Sequence, residues 1–204
     1  MRFFKLAAFI LLPLMLTACG TKVVSRVTNF YDAPKMTAGG TYYIAPTADK
    51  DTSLEHQSHM AAIKRKLNAA GFTESTQEKA DYAVAISYGI DGGKTTTSIA
   101  PIYGQIGGGY SAGSVYVAPT YGMIGTDYET TTIFTRFVQM DIFDQAASTA
   151  DKPVKVFEGK AISQGTAPSF NQVSQCLIDA LFFNFPGEDG KTKVIKIKGK
   201  ECMK

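Results

Sequence analysis

Tryptophan is absent, histidine occurs twice and cysteine three times among 204 residues. Large aromatic surface therefore falls to 10 tyrosines and 13 phenylalanines. Beyond the N-terminal segment no apolar run is long enough to cross a bilayer as a helix. No basic stripe exists apart from the lysines near the C-terminus, which argues against nucleic acid as a partner. No cysteine has the setting of a nucleophile. His56 and His59 stand at i and i+3 on one helix beside Glu55. A structural zinc site wants four ligands and a catalytic one three with an open position, so these read as surface histidines. Neither metal nor cofactor is expected.

What is present begins with an address. Arg2 and Lys5 precede an apolar run over residues 6–16, broken at Pro13, and the chain then turns small. That is the charged, greasy and small-residue order of a secretory signal peptide, too short for a spanning helix. Leu16-Thr17-Ala18-Cys19 resembles the lipobox of bacterial lipoproteins, in which the cysteine sulfur takes a diacylglycerol and cleavage leaves it as the N-terminus. The alternative is a plain secretory signal cut after Ala18, with Cys19 a free thiol. Anchoring by more than one acyl chain is stable, since each buried methylene contributes about 0.8 kcal/mol. Gly20 stands where an Asp would retain an enterobacterial lipoprotein at the inner membrane, which favours the outer membrane, periplasm-facing.

The expected organisation is a signal peptide over residues 1–18, a lipid-anchored segment over 19–40, and a periplasmic domain over 41–204. That domain carries a Gly/Tyr-rich insertion at 89–126. The formal charge of +3 loses Arg2 and Lys5 with the signal, leaving +1. Cys176 and Cys202 remain; in an oxidising envelope they are plausible disulfide partners. A bond between them would close a loop of 26 residues, worth on the order of 3 kcal/mol. The other reading is a buried thiol and a loose one.

Along the chain, residues 21–30 are β-branched and suit a strand, and 41–45 reads as a second, stopped by Pro46. Thr52 with Glu55 makes a capping box before Met60, Ile63, Leu67 and Ala70 at helical spacing, and Gly71 ends that helix. Residues 81–88 alternate, with Tyr82, Val84, Ile86 and Tyr88 on one face. In the Gly/Tyr-rich stretch, 99–103 is expected to pair with 114–118 across Gly107-Gly108-Gly109. Strands follow at 128–143 and 154–163, joined by a polar turn over 144–153. Ser169 and Gln172 cap a second helix with Val173, Cys176, Leu177, Ala180 and Leu181 inward. Residues 194–198 alternate with lysines, as a protected edge strand does. The fold class expected is α+β: a mostly antiparallel sheet, two helices packed on one face, and a long Gly/Tyr-rich excursion.

These pieces in this order resemble the bacterial lipoproteins of domain-of-unknown-function family 4136. The matching residues are the early Tyr42-Tyr43 strand, Ile63-Lys64-Arg65-Lys66-Leu67 leading to Ala70-Gly71-Phe72, and Ala80-Asp81-Tyr82-Ala83-Val84. Further on are Tyr128 leading into Val138-Gln139-Met140-Asp141-Ile142-Phe143-Asp144, the strand Val156-Phe157-Glu158-Gly159-Lys160-Ala161, and a last helix closing in Phe185-Pro186. Phe157 departs from the tryptophan common in such proteins, and the tail beyond Pro186, with Cys202, is longer than the pattern requires. The resemblance implies a fold and an envelope location, and no reaction.

Candidate chemistry is sparse. Gly92-Gly93-Lys94-Thr95 follows a strand as a phosphate loop does, but Tyr88 occupies the position that needs glycine, so it reads as a turn. Asp141, Asp144 and Glu158 lie near a hairpin end, where carboxylates are usually solvated; an envelope hydrolase using them is the enzymatic alternative. Tyr103, Tyr110, Tyr116 and Tyr121 are the candidate partner contacts. Tyrosine offers large amphipathic area at low entropy cost, and glycine lets backbones approach. The expectation is a non-enzymatic lipoprotein, held to the membrane through acylated Cys19, that binds an envelope protein or glycan. A self-assembling envelope subunit is the further alternative.

Overall fold

The computed structural model describes residues 22–32, 36, 39–46 and 53–203. The signal segment, Cys19, Gly20 and Thr52 lie outside them. In chain order the elements are β1 (Lys22–Tyr31), β2 (Thr41–Ile44), α1 (Leu54–Ala69), β3 (Thr73–Glu74), β4 (Tyr82–Ile90), β5 (Lys94–Gly107), β6 (Tyr110–Ala112) and β7 (Val115–Val117). Then come β8 (Thr120–Thr149), β9 (Lys152–Gly165), α2 (Ser174–Leu181), β10 (Thr192–Lys198) and α3 (Gly199–Cys202). No described helix is long and apolar enough to cross a membrane.

The fold is α+β, built on a mixed, mostly antiparallel sheet in the order β10-β1-β9-β8-β4-β2-β3, with β5 pairing β8 off that path. Only β2 pairs in parallel, with β3 and β4. Residues 22–31, set apart by sequence from the domain that follows, lie within this sheet between β10 and β9. Alternation decides which side of the sheet is dry. Val23, Val27, Tyr82, Val84, Val138, Met140 and Ile142 are buried, while their neighbours along each strand are more open. The central helix α2 packs against β9, β1 and β8, and α1 packs on α2. Leu67, Leu177 and Leu181 have no exposed surface; burying each contributes on the order of 1.5–3 kcal/mol.

Both capping boxes read from sequence are replaced by other arrangements. Ser53, one residue past Thr52, caps α1, its hydroxyl accepting the His56 N–H at 3.4 Å. At α2 the N-cap is Val173 with no side-chain bond, and the Ser174 hydroxyl donates to the Asn171 carbonyl. Ser169 stands too far ahead of Ser174 to reach the first turn. The strand expected from Tyr128 begins instead at Thr120, and the turn expected over 144–153 shrinks to residues 150 and 151. Cys176 and Cys202 are bonded, with Cα atoms 4.9 Å apart, so the disulfide ties α2 to α3.

Candidate functional site

The Gly/Tyr-rich stretch forms a two-stranded ribbon rather than the small hairpin expected. Ile99 pairs with Tyr128, not with the 114–118 segment, and the ladder runs from Lys94↔Ile133 to Gly107↔Thr120. Residues 115–117 instead close a tip hairpin with β6, turning through Gly113 at φ +62°. The glycine triplet at 107–109 lies between the ribbon and that tip. The packing partner of β5 is β8, and that of β6 is β7. At about 3.3 Å per residue the 14 residues of β5 run about 45 Å.

The root of the ribbon is held by backbone chemistry. The Asp91 carboxylate accepts N–H bonds from Thr135 at 2.8 Å and Gly93 at 3.0 Å. The Thr135 bond is the main cause that holds this carboxyl below its ordinary range, against a smaller desolvation cost. Gly93 has φ +77°, and a Cβ there would meet the Phe134 ring at 2.7 Å. Next come two cross-strand hydroxyl pairs, Thr95–Thr132 at 2.9 Å and Thr97–Thr130 at 3.1 Å. This is why the stretch after Gly92-Gly93-Lys94-Thr95 is a strand, without the helix N-terminus a phosphate loop needs.

Farther out, both faces become apolar. One carries Ile99, Tyr103, Tyr121, Met123 and Tyr128 through the pairs Ile99↔Tyr128, Tyr103↔Met123 and Gln105↔Tyr121. On the other, Ile106 lies over Gly122, where a Cβ would come within 2.7 Å of its Cδ1, and Ile124 lies over Gly104 in the same way. The paired glycines let the isoleucines lie flat across the backbone. Tyr103, Tyr110, Tyr116 and Tyr121 are 61–72% exposed. Thirteen of the nineteen exposed large hydrophobic side chains among the described residues sit on this ribbon. Those four and Tyr128 each leave more than half of their surface open to solvent. Sequence reasoning named the four tyrosines and missed the isoleucines, Met123 and Tyr128. The signal was available: residues 95–126 contain no charged side chain.

The other candidates resolve into structure. His56 and His59 are 5% and 3% exposed, not on the surface as expected. His56 Nδ1 lies 3.2 Å from the Tyr88 hydroxyl, and His59 meets Tyr88 and Phe170 edge-on. His59 Nε2 lies 3.5 Å from Glu55. Burial, with help from the Glu55 charge, pushes the Tyr88 phenol up. Among the described residues no group of three or more His, Cys, Asp or Glu is placed to hold a metal ion.

Asp141 and Glu158 are cross-strand partners, and Lys155 joins them at 3.3 and 2.8 Å. Desolvation pulls the lysine down, but its bond to Glu158 and the Asp141 charge outweigh that and hold it above its ordinary value. Asp144 stands apart, accepting the Ala147 N–H at 3.0 Å. The three carboxylates are therefore not brought together around a shared cleft. The buried Arg136 donates to the Ala167 carbonyl at 3.1 Å, and burial lowers its pKa.

A family model described as Domain of unknown function (DUF4136) matches residues 26–187, which include the whole ribbon. No curated protein matches the chain. Among solved structures, a PDZ domain protein from Parabacteroides distasonis ATCC 8503 is similar at 11% identity and a TM-score of 0.52, over 91% of this chain and 41% of that one. At that identity the likeness concerns the fold alone, and the chain spans less than half of that protein.

Proposed function

This chain belongs to the DUF4136 family, whose name carries no reaction, and from that premise we propose that it is a lipid-anchored envelope lipoprotein whose domain binds rather than catalyses. Acylated Cys19 holds it to the outer membrane, facing the periplasm. Both longer helices cover the dry face of the sheet, and the ribbon is the contact surface for an envelope component. One observation carries this reading: a ribbon, uncharged over residues 95–126, that exposes apolar side chains on both faces. Exposed apolar side chains gathered on one element mark interaction sites. The salt bridges that occupy Asp141 and Glu158 support binding over hydrolysis.

A second reading, self-assembly, is favoured by one feature of β8. Its pairing with β9 ends at Phe134↔Gly165, and from residue 133 to 120 that edge has no partner among the described strands. An open edge of this length is a template for another strand.

The test replaces residues 95–132 by Asn-Gly, which closes β5 onto β8 at Lys94↔Ile133 in a two-residue hairpin. Cross-linked captures from intact envelopes are then compared with wild type. Loss of a specific protein, glycan or lipid adduct, with thermal stability retained, supports the reading; a set of captured proteins, glycans and lipids that is unchanged removes it. A Cys19→Ala variant that stays membrane-bound by a cleaved, unmodified chain would remove the anchor.

A further inference from the structure

We propose that the lysine-bearing end of the sheet rests on the phospholipid bilayer and that the ribbon lies in its interfacial zone. This rests on the lipoprotein reading and names the partner of the same ribbon. The strand register sets the geometry. Ser25 pairs with Ser163, Ser163 with Arg136, and Ile90 with Arg136, so these residues lie at one level of the sheet. Lys22 is three residues beyond that level on the side toward which β8 and β5 run out as the ribbon. Cys19 precedes Lys22 by only three residues, a reach of at most about 11 Å. An acyl anchor there brings the bilayer to the root of the ribbon, not to the opposite end of the domain.

The charge pattern at that end is independent of the anchor. Lys22 and Lys198 are direct cross-strand partners, an arrangement that costs stability unless an anion lies between or above them. Lys196 and Lys200 are also exposed there, and Glu201, 3.6 Å from Lys198, is the carboxylate that offsets them. Lipid phosphates supply the missing negative charge. Beyond this cationic end, past the exposed Asp127 and Glu129 on β8, stands the uncharged 95–126 stretch, with tyrosines suited to the headgroup level and isoleucines to the acyl boundary.

The backbone sets the depth. Hydrocarbon offers nothing to the N–H and C=O groups along residues 120–133 that no described strand pairs on that edge, so a lone ribbon cannot thread the bilayer. At the interface, water and headgroups satisfy them. The ribbon therefore lies along the surface.

The absence of tryptophan makes the test direct. Tyr116→Trp places a single indole at the exposed ribbon tip, and Phe183→Trp places one on an exposed site near Asn29, at the other end of β1. Each full-length protein, purified from membranes, is reconstituted in phosphatidylethanolamine–phosphatidylglycerol vesicles with brominated acyl chains. The Tyr116→Trp probe is expected to shift to the blue and lose most of its emission, and the Phe183→Trp probe to lose little. Lys22→Glu with Lys198→Glu is expected to restore emission at the tip. Equal emission from both probes overturns the proposal. A blue shift of the tip probe that grows with protein concentration and ignores bromine also overturns it, in favour of a second copy. Tyr103→Trp serves if the first probe disturbs the tip hairpin. Mass measurement of the same preparation reports the acyl group at Cys19. Loss of the anchor reading is thereby separated from loss of the ribbon reading, since an unacylated chain can be added to the same vesicles and its quenching read directly.

Discussion

Removing the sulfur at position 202 is expected to destabilise the domain by about 3.5 kcal/mol. The Cys176–Cys202 bond closes a loop of 26 residues, and the chain-entropy relation gives about 12 cal/mol/K for that length, or about 3.5 kcal/mol at 25 °C. The local setting points the same way. Cys176 lies in α2 with no exposed surface, and α3, which carries Cys202, is four residues long with no side-chain bond at its N-cap. Without the bond, α3 has only its contacts with α2 and β10 to hold it, and residues 199–203 should fray. For a chain of this size each kcal/mol corresponds to roughly 2–4 °C in melting temperature, so the loss amounts to about 7–14 °C. Calorimetry of Cys202→Ala, and of wild type with and without reductant, reads this directly. Amide exchange should rise first over 199–203 and at the β1–β10 ladder. A reduced wild type that melts within about 1 °C of the oxidised form would refute the reasoning. The loop would then be restrained equally in the unfolded chain, and the bond would contribute nothing to stability.

Two further outcomes follow from local geometry. Gly93→Val is expected to cost roughly 2 kcal/mol or more, because it forces a β-branched residue to φ +77° with its Cβ against the Phe134 ring and Thr132. Gly92→Val, with open space around it, should be near neutral, and comparable melts for the two would refute the strain argument. Glu188 is held down to about 2, chiefly by hydrogen bonds from Lys191 and Lys193. A carboxyl depressed in the folded state contributes fully above its ordinary value of 4.5 and loses that contribution as pH falls toward 2. Glu188→Gln should flatten the fall in melting temperature across that window by lowering the melt modestly at neutral pH and leaving the most acid end nearly unchanged. A curve that keeps the wild-type slope between those pH values would remove Glu188 from the acid response.

Much of this was legible in the residues because period-2 and period-3.6 patterns report burial directly. The Tyr82, Val84, Ile86 alternation and the Met60, Ile63, Leu67 stripe both face the core. His56 and His59 fall on that same stripe, two turns and one turn from Ile63, yet residue type argued for the surface; aromatic partners from distant segments, Tyr88 and Phe170, made the interior habitable. Pairing partners were harder to read. A Thr- and Gly-rich strand has two similar faces, so nothing in its pattern favours one register over another. The glycine triplet at 107–109 looked like the turn, while the chain turns at Gly113. The four tyrosines were readable as exposed contacts, but the isoleucines were not, since only the cross-strand glycines explain how they lie outside a core.

Strand β8 runs unbroken for 30 residues, about 100 Å at strand rise. Its first half is the ribbon, and its second half carries Val138, Met140 and Ile142 through the middle of the core. The two halves share one strand backbone. The tyrosine-bearing ribbon is therefore continuous, past the Asp91–Thr135 bond at its root, with the strand at the centre of the sheet.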